Sequence, residues 1–270
     1  DTADVYSSFI PGNKGGESET VIGNWMKSRG RRGDVAIGTK VGWLLEGDRG
    51  GLRRDRILTI VEESLRNLQT DYIDLYYAHA DDPETPLDDV LETFDRLVKA
   101  GKVRAIAASN YSAPRLAAAL DTSAAKGLAA FTALQPLYNL LDRSGFEGEL
   151  QQLCIDRGLG VLPYFGLASG FLTGKYRSEA DMEGKSRAGM VGGYRTARGL
   201  AVLAALDAVA EETGTVPAQV ALAWLAAQPG VTAPIASATS VSQVETLLGA
   251  MRLKLSSDQL SRLDQASQPG

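Results

Sequence analysis

From residue 35 onward, short apolar runs alternate with longer amphipathic stretches. The apolar runs are rich in Val, Ile, Leu and Ala and predict strands that are buried on both faces. They cover residues 35–39, 73–78, 103–108, 131–134, 159–164 and 231–236. The stretches between them gather apolar residues on one helical face, as at Ile57, Val61, Leu65 and Leu68. This alternation predicts a parallel sheet with helical crossovers, in a barrel or a doubly wound arrangement.

No Pro-rich or Ser-rich linker divides the chain, so a single domain over residues 1–270 is predicted. The longest irregular stretch, residues 176–199, contains Gly184, Gly189, Gly192 and Gly193. Long loops inside compact domains are often functional, although a plain connection fits this composition equally well.

The composition narrows the function classes. With 44% hydrophobic and 23% charged residues, the chain is typical of a globular protein. A net charge of −5 argues against a nucleic-acid partner. No apolar run reaches the roughly 18 residues that span a bilayer, and residues 1–8 lack the features of a signal peptide. The single cysteine, Cys154 in a helical stretch, has no partner for an intrachain disulfide, which favours a reducing, cytoplasmic location.

Polar residues fall where several predicted strands end. Lys40, His79, Ser109, Asn110 and Gln135 each follow directly on an apolar run. In a (β/α) barrel the carboxyl ends of the strands converge on one mouth, where active sites lie. Taken singly, the lysine fits a plain exposed residue, the Ser-Asn pair a helix cap, and the histidine a structural hydrogen bond. Their coincidence at four strand ends indicates a functional site.

Other chemistries lack the residues they need. One histidine and one cysteine cannot assemble a His/Cys metal cluster, and no carboxylate loop has a recognisable metal-binding spacing, so no metal is predicted. The motifs GxSxG, GxGxxG and GxxxxGK[ST] are absent from the predicted strand-to-helix turns. A Ser-His-Asp triad would have to use His79, and nothing marks a serine for it.

The order and spacing of several short motifs resemble the aldo-keto reductase family over essentially the whole chain. The motifs are DTADVY at 1–6, GESE at 16–19, TK at 39–40, YYAH at 76–79, SN at 109–110, LQP at 134–136 and LTGKY at 172–176. The resemblance implies a TIM-type (β/α)8 barrel. Within that barrel the present chain would lack the first strand, the first helix and most of the second strand, about 50 residues at the usual barrel size.

The resemblance also implies the activity: hydride transfer from NAD(P)H to an aldehyde or ketone, a small-molecule carbonyl substrate. Asp1, Tyr6, Lys40 and His79 would form the catalytic tetrad. A proton must reach the carbonyl oxygen as hydride reaches the carbon, and Tyr6 is the expected acid. An ammonium at Lys40 would favour the phenolate, with Asp1 holding the lysine and His79 donating a hydrogen bond to the carbonyl oxygen.

Cofactor contacts follow from the same resemblance. Ser109, Asn110 and Gln135 would bind the nicotinamide carboxamide, and Tyr164 would stack on the ring. The pyrophosphate would lie along Leu167, Ser169, Gly170 and Lys175. The segment 234–243 offers Ser237, Thr239 and Gln243 where NADPH-specific relatives often have Lys or Arg for the 2′-phosphate. NADPH is the favoured cofactor and NADH the alternative. A second departure is Phe165-Gly166, where the family often has Ser-Pro after the stacking tyrosine.

Three aromatic residues are candidates for the substrate pocket wall, with plain packing as the alternative reading: Phe9, Trp43 and Tyr138. Two rival functions remain open at this point. One is a cofactor-binding regulatory module like the potassium-channel β subunits, which share this barrel. The other is a barrel isomerase or hydrolase that uses His79 with a nearby carboxylate such as Asp81. The sequence makes no prediction of oligomeric state.

Overall fold

The structure is a computed structural model that describes residues 1–43, 51–178, 180–183 and 188–269. Within it the chain falls into two compact units, Asp1–Gln135 and Pro136–Gly270. The single domain inferred from the sequence stays a prediction.

Helices and strands alternate along the first unit. Its elements are α1 (Glu17–Arg29), β1 (Gly38–Val41), α2 (Arg54–Leu68), β2 (Ile73–Ala78), α3 (Leu87–Lys99), β3 (Val103–Ser109), α4 (Ala113–Lys126) and β4 (Phe131–Gln135), with a short 3-10 turn at Arg32–Asp34. The strands pair in parallel in the order β1-β2-β3-β4. The predicted parallel sheet with helical crossovers is therefore confirmed in this unit.

Helix α3 shows why these stretches become helices that cover the sheet. Its apolar residues recur at helical spacing and are all buried: Val90, Leu91, Phe94 and Leu97. Asp88 and Asp89 in the first turn complement the positive end of the helix dipole. The Phe94 ring lies 5.6 Å from the ring of Tyr76 on β2, so the apolar stripe packs directly on the sheet.

Strand β1 begins three residues later than the sequence predicts and ends two residues later. The Asp74 carboxylate accepts the N–H of Ile37 at 2.8 Å, and the Arg32 guanidinium donates to the carbonyl of Val35 at 2.8 Å. These side-chain bonds use backbone groups that a longer ladder would have needed. Because the strand continues to Val41, Lys40 lies within it rather than after it.

The second unit is mainly helical in its described part. Its elements are α5 (Glu149–Asp156), β5 (Gly160–Val161), a 3-10 segment (Ala168–Thr173), a 3-10 turn (Ala180–Met182), α6 (Ala188–Gly192), α7 (Ala197–Thr213), α8 (Pro217–Ala226), α9 (Val241–Ala250) and α10 (Ser257–Ala266). Trp224 on α8 is fully buried, and its indole N–H donates to the Asp264 carboxylate on α10 at 3.0 Å. Cys154 on α5 is also buried, and burial raises the pKa of its thiol to about 11.

Two predicted strands are much shorter than expected. Residues 159–164 give only Gly160–Val161, and residues 231–236 give only an isolated parallel bridge from Val231 to Val161. The N–H groups of Thr232 and Ile235 still bond to carbonyls of residues 161 and 163, so the segments run side by side. Proline has no N–H to donate, and Pro163 and Pro234 interrupt the ladder on both segments.

The predicted irregular stretch 176–199 contains short helical elements, since a 3-10 turn, α6 and the start of α7 lie inside it. Gly184 lies outside the described residues. In the part of the chain that the structure describes, no helix is both long enough and apolar enough to cross a membrane.

Candidate active site

The first six residues place two of the predicted site residues beside β1. The N–H of Thr2 donates to the carbonyl of Gly38 at 2.8 Å, and the N–H of Asp4 donates to that of Lys40 at 3.2 Å. The chain then turns, with the N–H of Tyr6 bonded to the carbonyl of Ala3 at 3.2 Å. Asp1 and Tyr6 are thereby fixed at the edge of the sheet that carries Lys40.

Lys40 is the centre of the site. Its side chain is 0% exposed. Its ammonium donates to Asp1 Oδ1 at 2.6 Å, to the carbonyl oxygen of Thr2 at 2.8 Å and to the hydroxyl of Tyr6 at 3.2 Å. An ammonium has three N–H groups, and these bonds use all of them. Lys40 is therefore held between a carboxylate and a phenol.

Burial controls the charges at this centre. It lowers the pKa of Lys40 to about 7, against the effect of the Asp4 carboxylate. The contact with Asp1 at 2.6 Å also favours the ammonium form. Burial raises the pKa of Asp4 to about 7, with the Val5 N–H and Arg56 acting in the opposite direction. Burial also raises the pKa of Tyr6. The lysine and a neighbouring carboxylate therefore both titrate near neutrality.

His79 follows β2 and faces the same place. Its main-chain N–H donates to the carbonyl of Val41 at 2.8 Å, and its ring lies 6.0 Å from the ring of Tyr6. Burial, and then the charge of Lys40, lower the pKa of His79 to about 3, so the imidazole is neutral at pH 7. Its Nδ1 is buried and has no hydrogen-bond partner among the described residues. A neutral imidazole of this kind has one N–H to offer a ligand.

The ends of β3 and β4 join the same network. Gln135 donates from its side-chain amide to Asp1 Oδ2 at 2.9 Å, so the Asp1 carboxylate bridges Lys40 and Gln135. Ser109 donates from its hydroxyl to the main-chain carbonyl of Gln135 at 2.8 Å. Asn110, with φ of 56°, donates from its amide to the carbonyl of His79 at 2.9 Å. The strand-end residues predicted from the sequence are thus brought together in the first unit.

The predicted pocket residues have different surroundings. Trp43 is 40% exposed and its ring lies 4.9 Å from that of His79. Phe9 is 82% exposed on the loop after Tyr6. Tyr138 is fully buried in the second unit, where its hydroxyl donates to Glu147 at 2.7 Å and its ring packs on Phe146 at 4.9 Å. These contacts make Tyr138 a packing residue of that unit.

The other predicted cofactor residues lie in the second unit. Tyr164 is half-buried and its N–H donates to the carbonyl of Pro136 at 3.0 Å. The backbone after it turns sharply, and Ser169 and Gly170 have φ of 57° and 102°. Leu167 accepts the Gly170 N–H at 2.8 Å, and Lys175 is exposed. In the later segment Ser237 is exposed, and Thr239 donates its N–H to the Gln243 side chain at 2.8 Å beside the start of α9.

Two further side chains at the site are not among those predicted from the sequence. Asp4, in the opening motif, has a side chain that is 9% exposed, and its carboxylate lies 4.0 Å from the Arg56 guanidinium. Tyr77 on β2 is paired in register with Lys40, and the Lys40 ammonium lies 5.5 Å from the centre of its ring. Strand alternation from His79 back to Tyr77 was a usable signal for the second residue. In the described residues no group of three or more His, Cys, Asp or Glu could hold a metal ion.

A buried lysine, a carboxylate, a tyrosine and a histidine therefore lie together at the carboxyl end of the parallel sheet of the first unit. A sequence model of the Aldo/keto reductase family matches residues 1–268, and the chain belongs to this family. The family fold is the (β/α)8 barrel, which confirms the predicted fold class. Members of the family are oxidoreductases that generally use NAD(P)H.

Curated relatives agree with this assignment. The chain is 34% identical over 272 residues to an uncharacterized oxidoreductase, YrpG, of Bacillus subtilis, covering 98% of this chain and 81% of that protein. It is 32% identical to the protein tas of Escherichia coli, covering 99% and 84% of the two chains. It is also 31% identical to a probable voltage-gated potassium channel subunit beta of Arabidopsis thaliana, covering 91% and 75%.

Proposed function

We propose that this chain reduces an aldehyde or ketone with hydride from NAD(P)H and that Tyr6 delivers the proton. The observation that carries the proposal is the buried ammonium of Lys40, which bonds to Asp1 on one side and to the Tyr6 hydroxyl on the other. Reduction of a carbonyl places negative charge on oxygen as hydride reaches carbon, so an acid must stand beside that oxygen.

Lys40 makes Tyr6 a usable acid. A phenol with a pKa near its ordinary value, about 10, releases its proton reluctantly at neutral pH. Burial raises the pKa of Tyr6 further, which on its own would oppose proton release. The ammonium at 3.2 Å stabilises the phenolate that remains once the proton has left, and Asp1 holds that ammonium in place. The pair works only while Lys40 keeps its proton.

His79 is suited to orient the substrate. It is neutral at pH 7 and lies beside both Tyr6 and Trp43. A neutral imidazole can donate one hydrogen bond to the carbonyl oxygen without competing with Tyr6 for proton transfer. Trp43 and Phe9 supply apolar surface on the same unit, which fits a substrate with an apolar or aromatic group next to its carbonyl.

The residues of the first unit fit a nicotinamide group. Buried Nδ1 of His79 lacks a partner among the described residues, and Ser109, Asn110 and Gln135 present hydroxyl and amide groups suited to a carboxamide. Bound NAD(P)H supplies the hydride, and these residues orient the ring. In the second unit, the family resemblance assigns ring stacking to Tyr164 and phosphate contacts to the following group: Leu167, Ser169, Gly170, Lys175, Ser237, Thr239 and Gln243.

NADPH remains the favoured cofactor on family resemblance, with NADH as the alternative. Hydroxyl groups and the N-terminus of α9 are the groups that segment 237–243 offers to a 2′-phosphate. Cationic side chains grip a phosphate dianion more strongly than hydroxyls do. The preference for NADPH is therefore expected to be modest.

The test compares the wild type with Tyr6→Phe. We expect NADPH to bind to both proteins, which a change in intrinsic fluorescence would report. Turnover of a panel of aldehydes and ketones should fall by about a hundredfold or more in the variant. Cofactor binding with no Tyr6-dependent turnover would favour the alternative of a cofactor-binding regulatory module; the name of the Arabidopsis relative describes a probable potassium channel subunit. A wild type that binds neither NADPH nor NADH would overturn the proposal.

A further inference from the structure

Tyr77 is a second tyrosine at the catalytic lysine. It is almost fully buried on β2 and is paired in register with Lys40 on β1. Its neighbour on the same strand, Tyr76, faces the helices and packs on Phe94. Because successive side chains of a strand point to opposite faces, Tyr77 faces the side that Lys40 occupies. The Lys40 ammonium lies 4.9 Å from the Tyr6 ring and 5.5 Å from the Tyr77 ring.

Gln135 connects Tyr77 to the carboxylate of the site. The Gln135 side chain lies near the Tyr77 hydroxyl and favours the ionised form of that phenol, although burial still raises the pKa of Tyr77 to about 12. The side-chain amide of Gln135 donates to Asp1 Oδ2 at 2.9 Å. Because Asp1 Oδ1 accepts from Lys40, both oxygens of the carboxylate are engaged by different partners. This geometry restricts rotation of the Asp1 carboxylate.

Gly38 leaves the space for this arrangement. A Cβ atom at this position would lie 3.2 Å from Cε2 of Tyr77 and 3.8 Å from Oδ2 of Asp1. The first distance is tighter than an ordinary carbon contact, so a side chain here would press on the Tyr77 ring. The absence of a side chain at Gly38 lets the phenol and the carboxylate pack against the same point of β1.

We propose that Tyr77 and Gln135 are positioning residues that clamp the Asp1 carboxylate against the ammonium of Lys40. The inference rests on the proposed function, since it concerns how the acid Tyr6 is kept active. The charged and titratable groups that face Lys40 include the carboxylate and the amino group of Asp1, Asp4, Tyr6, Tyr77 and His79. Of these, Asp1 is the carboxylate in direct contact, and its orientation is what the clamp controls.

Loss of the Tyr77 hydroxyl should weaken proton delivery rather than cofactor binding, whereas loss of Gln135, which is also a proposed carboxamide contact, should affect both. A carboxylate free to rotate compensates the buried ammonium less well, so Lys40 loses its proton at a lower pH. The alkaline limb of kcat, set by a Lys40 pKa of about 7 in the wild type, then moves to lower pH. A misplacement of about 1 Å in such a site can cost about a hundredfold in rate, so a loss of about tenfold or more is expected.

The experiment measures kcat against pH, the Kd for NADPH and thermal unfolding for Tyr77→Phe, Gln135→Met and the double variant. Tyr76→Phe is the matched control, because it removes a hydroxyl from the same strand that has no hydrogen-bond partner among the described residues. We expect Tyr77→Phe to lower kcat about tenfold and to move the alkaline limb by about one pH unit, with an unchanged Kd for NADPH. The double variant should cost no more than the worse single change, since the two residues act as one unit.

Gly38→Ala provides an independent approach through the same contact. It leaves both hydrogen-bonding groups in place but presses on Tyr77, and it should shift the alkaline limb in the same direction. If Tyr77→Phe or Gln135→Met does not fold, this variant alone decides: an unshifted limb overturns the proposal, and an acid shift supports it.

The outcomes separate this inference from the proposed function. A wild type without Tyr6-dependent turnover removes the proposed function itself. A wild type whose turnover depends on Tyr6, together with Tyr77→Phe and Gln135→Met variants that keep its kcat and pH profile as Tyr76→Phe does, overturns the clamp alone. Additive losses in the double variant would also overturn it, because independent residues add and a shared clamp does not.

Discussion

The polar residues of the two units differ in how they are held. In the first unit, Lys40 and Gln135 are buried on strands and their donors are bound to other parts of the site. In the second unit, Lys175, Ser237 and Thr239 are exposed and lie outside strands and α-helices. Groups on a sheet edge are positioned within tight limits, whereas exposed loop groups adapt and tolerate change. The comparison indicates that the proposed proton delivery is rigidly built and that cofactor preference is easily altered.

The largest expected effect tests the rigid side of this comparison. Lys40→Met removes the ammonium that stabilises the Tyr6 phenolate, and kcat should fall by about a hundredfold to ten-thousandfold. The matched control is Lys102→Met, because Lys102 is partly exposed and pairs with Glu62 away from the site. The measurement is the steady-state kcat of both variants for one aldehyde that the wild type reduces efficiently. Equal activity in the two variants would remove Lys40 from the proposed mechanism.

The next effect concerns stability in the same unit. The pKa of Asp4 is raised to about 7 in the folded protein. Between its ordinary pKa and about pH 7, Asp4 is therefore protonated in the folded state and ionised in the unfolded state. The stabilising contribution of protonated Asp4 is complete below its ordinary pKa and is lost as pH rises through about 7. Relative to Asp4→Asn, the wild type should therefore lose about 2–4 kcal/mol of unfolding free energy between about pH 4 and pH 7.

Urea unfolding of both proteins across this pH range measures the difference. Asp34→Asn, at an exposed carboxylate that pairs with Arg31, serves as the control and should follow the wild type. If Asp4→Asn has the same pH dependence as the wild type, Asp4 is not the buried proton-binding group described above.

The smallest effect tests the adaptable side of the comparison. Thr239→Arg adds a cation to segment 237–243, where Thr239 is exposed and its replacement should not disturb folding. The Kd for NADPH should fall by about fivefold to tenfold while that for NADH stays unchanged, because only NADPH carries the 2′-phosphate. Ser261→Arg adds the same charge on α10 and should change neither value. A parallel gain for both cofactors would show a general charge effect instead.

Much of the first unit could be predicted from the sequence because its signals are local. The run 73–78 is apolar apart from Asp74 and coincides with β2; His79 and Asn110 follow β2 and β3, and Gln135 is the last residue of β4. The start of β1 could not be predicted, because the Ile37 N–H bonds to Asp74, which is distant in sequence. Pro163 and Pro234 are visible in the sequence, but the strands were predicted to run through both of them. Proline interrupts a strand ladder, so these two strands are shorter than predicted.

The site likewise combines features that have local sequence signals with features that depend on contacts between distant residues. The tetrad residues and Gln135 could be found from motifs, but the bond from Gln135 to Asp1 joins positions far apart and has no sequence signature. The pair Tyr76-Tyr77 contains identical side chains; alternation from His79 points to Tyr77, and the register with β1 pairs it with Lys40. The surroundings of Tyr138 likewise depend on Phe146 and Glu147, which a prediction from aromatic character does not include.

The burial of Lys40 bears on a side reaction that any aldehyde-binding protein faces. An amine with a pKa of about 7 is largely unprotonated just above neutrality, when it can attack an aldehyde to form an imine. Here the nitrogen has no exposed surface, and it is surrounded by the polar atoms of Asp1, Thr2 and Tyr6. The nitrogen lone pair that deprotonation releases therefore has no open path to a carbonyl carbon. The same packing that makes Lys40 an electrostatic partner for Tyr6 keeps it from being trapped as a Schiff base.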